Sequence, residues 1–139
     1  MAEKIKLEVV TPEKIVVSED VQIVAAPGTL GEFGVLSGHT PFMTTLKTGT
    51  IRYTDAGGAE RSVFIGGGFA EALPNKVTVL AESAERRRDI DLERAMAALE
   101  RAQRRLVEDR KKDDIDFTRA RAALERALQR VKLAESRKR

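Results

Sequence analysis

Ile90-Asp91-Leu92-Glu93-Arg94-Ala95-Met96-Ala97-Ala98-Leu99-Glu100-Arg101-Ala102 recurs 25 residues downstream, as Ile115-Asp116-Phe117-Thr118-Arg119-Ala120-Arg121-Ala122-Ala123-Leu124-Glu125-Arg126-Ala127. A repeat of this kind marks a duplicated structural unit. Each copy opens with an Asp suited to capping and continues through strong helix formers. The polar stretch Glu108–Asp114 between the copies reads as a turn. The pattern therefore predicts two antiparallel helices with an unstructured basic tail from Ser136.

Projected at about 100° per residue, the helices resolve into faces. Leu92, Met96, Leu99 and Leu106 form an apolar stripe, matched by Phe117, Leu124, Leu128 and Val131. Beside it runs an alanine seam, Ala95, Ala98 and Ala102, matched by Ala120, Ala123 and Ala127. Small side chains at equal spacing allow close approach and leave the larger stripes to cover the rest of the chain or a partner. Alanines bury little area, and burial contributes only about 25 cal/mol per Å². The hairpin is thus expected to be marginal alone, and both a permanently closed form and one that opens fit the pattern.

Upstream of the repeat the chemistry changes. Lys4 to Val10 alternates apolar and charged residues with a period of two, the mark of a half-buried strand. Short β-branched runs follow at Ile15–Val17, Val21–Val24, Ile51–Tyr53, Val63–Ile65 and Val77–Leu80. Pro27-Gly28, Gly57-Gly58 and Pro74-Asn75 supply turn signals, the last two reading as hairpins. All ten Gly and all four Pro precede Glu85. Charge divides at the same place: 7 basic and 10 acidic residues through Ala84 give −3, and 18 basic and 12 acidic residues beyond it give +6. The expected organisation is α+β: a two-sheet β-sandwich over residues 1–84, then a helical hairpin over 85–139.

Several functional classes drop out. The chain has no Cys, which excludes disulfide scaffolds, thiol catalysis and Cys-ligated zinc. No apolar run approaches the 18 or so residues of a membrane span, and the charged N-terminus does not read as a signal peptide. His39 is the sole histidine and has no partners for a triad or a metal site, so a structural or interface role is expected. Gly28–Gly34 lacks dinucleotide-binding spacing, and Gly66-Gly67-Gly68 is not followed by Gly-Lys-Ser/Thr. Both stretches are expected to supply turns, bulges or close backbone approach. No catalytic residue and no metal site emerge.

The basic helices raise the question of nucleic acid. Twelve acidic residues are interleaved with the 18 basic ones, and the helices carry a single aromatic, Phe117. An uninterrupted basic stripe and a stacking platform are both missing, so a solvated face with intrahelical pairs such as Glu100–Arg104 is favoured. One narrower feature stands out. Arg94 and Arg101 lie two turns apart on the first helix, Arg126 and Arg130 are i,i+4 neighbours on the second, and all four flank the alanine seams. Closure along the seams would converge four guanidinium groups on one anion, and the arginine fork suits phosphate. The competing reading is surface arginines paired to Glu and Asp.

Taken in order, the motifs resemble the epsilon-subunit family of bacterial F-type ATP synthases over essentially the whole chain. Gly31-Glu32-Phe33-Gly34-Val35-Leu36-Ser37-Gly38-His39-Thr40-Pro41-Phe42 is similar to the family's Gly-Glu-x-Gly-x-x-x-Gly-His-x-Pro, with Ser37 where members more often carry Pro. Gly66-Gly67-Gly68-Phe69 followed by a Pro-Asn hairpin, and Asp113-Asp114-Ile115-Asp116-Phe117 before an Ala-rich helix, complete the match.

The resemblance implies a non-catalytic part of the rotating central stalk, seated between the gamma subunit and the ring of c subunits, peripheral at the cytoplasmic face of the bacterial plasma membrane. It turns Glu32 and its loop toward the c ring, places His39 toward gamma, and counts Gly38, Thr40 and Pro41 with them in the partner interface. It makes the helices a brake on ATP hydrolysis that transiently contacts the beta and alpha subunits. No obligatory cofactor is implied, but some members bind regulatory ATP through Ile/Leu-Asp-x-x-Arg-Ala. Ile90, Asp91, Arg94 and Ala95 match that motif, and Glu85, Arg101, Arg126 and Arg130 fall on positions similar to the remaining contacts. A free-standing ATP sensor and, less favoured, a nucleic-acid-binding module are the alternatives.

Overall fold

Alternation along Ile5-Lys6-Leu7-Glu8-Val9 directs three apolar side chains to one side of a strand. All three are fully buried in the computed structural model, which describes residues 3–109 and 114–136. This strand, β1 (Ile5–Val10), is followed by β2 (Ile15–Gly28), β3 (Gly31–Leu36), β4 (Phe42–Asp55), β5 (Glu60–Leu73), β6 (Lys76–Ala81) and β7 (Ala84–Arg86). A single 3₁₀ turn (Arg87–Asp89) leads to α1 (Leu92–Asp109) and α2 (Asp114–Glu135). The chain forms two compact units, the first ending at Arg87 and the second beginning at Arg88.

In the first unit, hydrogen bonding passes from β1 to β6, β5, β4 and β2, and then back from β2 to β1. The β1–β6 pair is parallel and the others are antiparallel. Strand β3 is attached to β2, and β7 to β5. The expected two-layer sandwich is therefore stitched into one continuous sheet that closes on itself like a barrel. Its long strands serve different neighbours along their length: β2 pairs with β1 from Ile15 to Val21, then with β3 and β4. Register shifts in β2 between Val21 and Ile23, and between Ala25 and Gly28, mark irregularities of the kind that bend and twist a strand. Side chains from every layer, among them Val17, Val24, Val35, Ile51, Tyr53, Val63, Ile65, Val77 and Val79, fill the interior.

The strands are longer than their apolar runs predicted, with β2, β4 and β5 each spanning 14 residues. Ser18, Glu19 and Asp20 carry no β signal, yet they pair with Glu8, Leu7 and Lys6 because their neighbours Val17 and Val21 are locked in the core. Pro27-Gly28, expected to turn, lies within β2, and the two-residue turn falls at Thr29-Leu30. The glycine-rich stretch after it is strand β3, held by pairing with β2 and by burial of Val35. Hairpins at Gly57-Gly58 and Pro74-Asn75 lie where predicted. Close backbone approach is realised at Gly68. A Cβ there would overlap the Leu80 carbonyl oxygen and lie 2.9 Å from Ala81 Cα.

The strand leading out of the sheet is pinned. Arg86 donates through Nε to the Val16 carbonyl at 3.1 Å, and its other nitrogens reach the Tyr53 hydroxyl at 3.3 Å and the Glu19 carboxylate at 3.5 Å. Tyr53 in turn donates to Glu19 at 3.0 Å. Burial pushes the Tyr53 phenol above its ordinary pKa, against the opposing pull of the Arg86 charge. The sheet thus continues past Ala84, with Ala84, Glu85 and Arg86 pairing with Ile65, Phe64 and Val63.

In the second unit Asp91 caps α1 as its position predicted. Its Oδ1 accepts from the Arg94 N–H at 3.2 Å, and its carbonyl accepts from the Ala95 N–H at 2.9 Å. The repeat is not carried through in detail: α2 begins at Asp114, so Asp116 falls inside its first turn instead of capping it. Of the stretch predicted as a turn, Glu108 and Asp109 belong to α1 and Asp114 to α2, while 110–113 lie outside the described residues. Helix α2 ends at Glu135, and of the tail predicted from Ser136 residues 137–139 also lie outside them.

Candidate functional site

Helices α1 and α2 pack along their lengths with a short connection, which makes them antiparallel neighbours. The alanine seam lies between them: Ala95, Ala102, Ala120 and Ala127 are all buried. Parts of the larger stripes remain outside, with Leu92, Met96 and Leu128 exposed and Val131 buried. Methyl groups leave a hollow where leucines would have filled the space. A cavity of about 210 Å³ opens between the helices, lined by Ala98, Ala102, Ala123 and Ala127 and by Arg101, Arg105, Arg126 and Arg130.

Three of the four arginines singled out from spacing, Arg101, Arg126 and Arg130, therefore meet around one cavity. Arg94 does not line it. As the third residue of α1, it offers its backbone N–H to the Asp91 cap one turn before Ala98, where the lining begins. Ile90, Asp91 and Ala95 likewise build the helix start and the seam, and are not among the lining residues. Glu85 is placed in β7 of the first unit. Sequence reasoning missed Arg105. Its signal was available, since Arg101 and Arg105 are i,i+4 neighbours in the same way as Arg126 and Arg130.

Arg101, Arg105 and Arg126 are exposed and form no salt bridge among the described residues. Arg104 behaves as a solvated-face arginine should, reaching Glu100 at 3.8 Å. Like charges facing one another across a small hollow oppose its closure, and an anion between them reverses that sign.

A second cluster lies in the β2–β3 hairpin and the β3–β4 loop. Both oxygens of Glu32 accept from the Arg52 guanidinium, at 2.6 and 2.7 Å, so its charge is locally balanced. Gly38, at φ +85°, donates its N–H to the Pro74 carbonyl at 2.7 Å and ties the loop to the β5–β6 hairpin. Ser37, where the resembling family more often has Pro, donates its hydroxyl to Glu3 at 3.2 Å. His39 Nδ1 lies 2.6 Å from the Thr40 carbonyl oxygen, and its ring meets Phe42 edge-on, which in turn packs edge-on against Phe33. His39 Nε2 is buried with no hydrogen-bond partner among the described residues. Thr40 and Pro41 are exposed beside it.

Among the described residues no group of three His, Asp or Glu side chains is placed to hold a metal ion. No helix among them is long and apolar enough to cross a membrane. Comparison with known proteins gives this arrangement its context. Residues 4–87 match the family model described as the ATP synthase delta/epsilon chain β-sandwich domain, and residues 88–135 match its long α-helix domain. The chain belongs to the ATP synthase delta/epsilon family.

Relatives within the delta/epsilon family include the ATP synthase epsilon chain of Desulfatibacillum aliphaticivorans, 72% identical over 106 residues that cover 76% of this chain and 75% of the relative. The epsilon chain of Carboxydothermus hydrogenoformans is 54% identical over 107 residues, covering 77% and 79%. Among solved structures, a chain of the Euglena gracilis mitochondrial ATP synthase (OSCP/F1/c-ring, rotational state 1) superposes with a TM-score of 0.77 at 26% identity. That match covers 91% of this chain and 78% of the other. A chain of the Tetrahymena thermophila enzyme shares the fold, with a TM-score of 0.59 at 11% identity over 96% and 98%. As an epsilon chain of the family, the protein is a non-catalytic subunit of ATP synthase.

Proposed function

We propose that this subunit works in the rotor, coupling the turning c ring to ATP synthesis and restraining ATP hydrolysis through its helical unit. The observation that carries the regulatory half is the helix pairing itself: alanines at the contact and like charges around the hollow make closure weak and sensitive to anions. Such a hairpin has two accessible states, and any ligand that favours one shifts the balance. Regulatory ATP is the ligand of this reading. At 100 times its dissociation constant it would add about 2.7 kcal/mol to the closed form.

The β-unit is the part that stays seated. Its Glu32 hairpin faces the c ring, His39 faces gamma, and Gly38, Thr40 and Pro41 belong to the same partner interface. The helices, with the +6 charge carried beyond Ala84, reach transiently for the beta and alpha subunits. The assembly lies at the cytoplasmic face of the bacterial membrane, which this chain meets only through its partners. Support comes from the family matches across both units and from the Euglena relative, whose structure contains F1 and a c-ring. Membership in a subunit family weighs against a free-standing ATP sensor and against a nucleic-acid-binding module.

The test is reassembly of the complex with a chain ending at Arg87, which retains every strand. Proton pumping should persist, and ATP hydrolysis under inhibiting conditions should rise. Unchanged hydrolysis would remove the helices from regulation.

A further inference from the structure

We propose that the outer border of β3 receives an extended, uncharged segment of a neighbouring subunit, which joins the sheet as an added strand and sets a bulky apolar residue opposite Gly34. The inference rests on the reading above, that the Glu32 hairpin is seated against a partner, and states how that contact is made. Three observations carry it.

The first is a free border. Strands β1, β2, β4, β5 and β6 have neighbours on both sides, β7 spans only three residues, and β3 pairs with β2 alone. The two-residue turn at Thr29-Leu30 makes Gly28 and Gly31 the closing hydrogen-bonded pair. By alternation Phe33 and Val35 also bond to β2, and Glu32, Gly34 and Leu36 aim their backbone groups the other way. The Leu36 carbonyl shows this parity, accepting from the His39 N–H at 3.3 Å. No other backbone group among the described residues bonds to these outward positions, and all three residues are exposed.

The second is the lack of protection. Proteins ordinarily blunt such a border with Pro, Lys, a bulge or a cover. Strand β3 contains neither Pro nor Lys, and its register against β2 runs unbroken from Gly31 to Leu36. Its single charge, Glu32, is already taken by Arg52 at 2.6 and 2.7 Å. A joining segment therefore meets a regular, neutral ladder on which a charge of its own would find no partner.

The third is shape. Val35 points into the core, so Gly34 and Leu36 share the outer face. There Gly34 lies beside Ala25, and Ala25 beside Arg52. A Cβ at Gly34 would meet only the Val24 carbonyl oxygen, at 3.8 Å, so the space above it is open. One side of this depression is the directly paired Leu36 and Ile23, 58% and 38% exposed, and the other is the Glu32–Arg52 bridge. A floor of small residues between an aliphatic wall and a guanidinium plane suits a large aliphatic or aromatic side chain. Glycine inside a strand commonly marks such a close approach.

Residue-resolved hydrogen exchange on the full chain, free and in the assembled ATP synthase, tests this. In the free chain the Phe33 and Val35 amides should exchange slowly and those of Glu32, Gly34 and Leu36 fast. In the complex the latter three should slow by about tenfold or more. Slowing at residues 38–40 without slowing in β3 would overturn strand addition and leave the partner interface standing. No slowing at either place would sink both.

Gly34→Pro deletes one outward N–H and none of the β2–β3 bonds, whereas Gly34→Ala keeps that N–H. In competition with the unaltered chain for complex depleted of this subunit, Gly34→Pro should be taken up about two- to tenfold less than Gly34→Ala, as for loss of one hydrogen bond. Equal uptake of the two would overturn the added strand. Gly34→Leu fills the depression and should also be taken up less than Gly34→Ala; equal uptake there would overturn the bulky residue opposite Gly34. Should Gly34→Pro lower the denaturation midpoint of the free chain, exchange in the unaltered chain decides.

Discussion

Replacing Ala127 by Leu tests whether the alanine seam sets the strength of the hairpin. Ala127 is 4% exposed and lines the cavity, facing α1 with Ala98 and Ala102. The substitution pushes three more carbon atoms between helices held close by methyl groups. Overpacking of this kind costs about 1–3 kcal/mol. That range lowers the closed-to-open ratio by about 5- to 150-fold. Once the closed fraction falls well below one, apparent anion affinity falls in proportion to it.

The absence of native cysteine makes the measurement clean, since cysteines introduced at the exposed Glu93 and Lys132 are the only labelling sites. Energy transfer between dyes at these positions reports separation of the N-terminal end of α1 from the C-terminal end of α2. Ala127→Leu should increase that separation and weaken ATP binding together, and high ATP concentration should restore closure. Leu128→Ala, which trims a neighbouring side chain that is 37% exposed, should do neither. Unchanged energy transfer and unchanged anion affinity in Ala127→Leu would refute the idea that close approach of the alanines governs closure.

Two further outcomes follow from the β-unit. Arg86→Ala removes donors to Val16, Tyr53 and Glu19, and should lower stability in chemical denaturation by about 1.5–3 kcal/mol, the range for hydrogen bonds to charged groups. Tyr53→Phe should cost less, because the Arg86–Glu19 pair survives. In the β4–β5 hairpin the Asp55 carboxyl is held below its ordinary pKa, chiefly by the Ala59 N–H, then by Arg61 and Gly57. A lowered folded-state pKa stabilises above the unfolded value of about 3.9 and is lost as pH falls through the folded value. Denaturation midpoints should therefore drop on acidification from pH 5 toward pH 2, with a shallower slope in Asp55→Asn. Identical slopes would remove Asp55 from the acid response.

The fold was readable wherever local preference and tertiary demand agree. Asp91 caps, the alanines repeat with helical spacing, and Ile5, Leu7 and Val9 alternate, so α1, α2 and β1 follow from short windows. Gly31-Glu32-Phe33-Gly34 has little intrinsic leaning to extended structure. It becomes β3 only because β2 offers a partner and Val35 a place in the core, information that resides some ten residues away. Closure of β1 onto both β2 and β6 is likewise a property of pairing and not of any one strand.

At the cavity, spacing on a helical wheel found Arg101, Arg126 and Arg130 because they flank the seam. The wheel could not say where along the seam the hollow lies. Arg94 shares the angular position of Arg101 but belongs to the first turn, where its backbone serves the cap. Arg105 was passed over although, like Arg130, it lies three residues beyond the recurring motif and repeats on α1 the spacing of Arg126 and Arg130.

The ring of strands has a mechanical consequence. An open sheet yields when a load peels its last strand away, breaking hydrogen bonds one after another. Here β1 is bonded on both sides, to β2 and to β6, so it offers no free border where tearing can start. Pulling it out along its axis must shear two ladders at once, and twisting the unit distributes strain around a closed circuit. For a component proposed to transmit torque, that makes the β-unit the stiff shaft collar, with compliance left to the helices beyond Arg87.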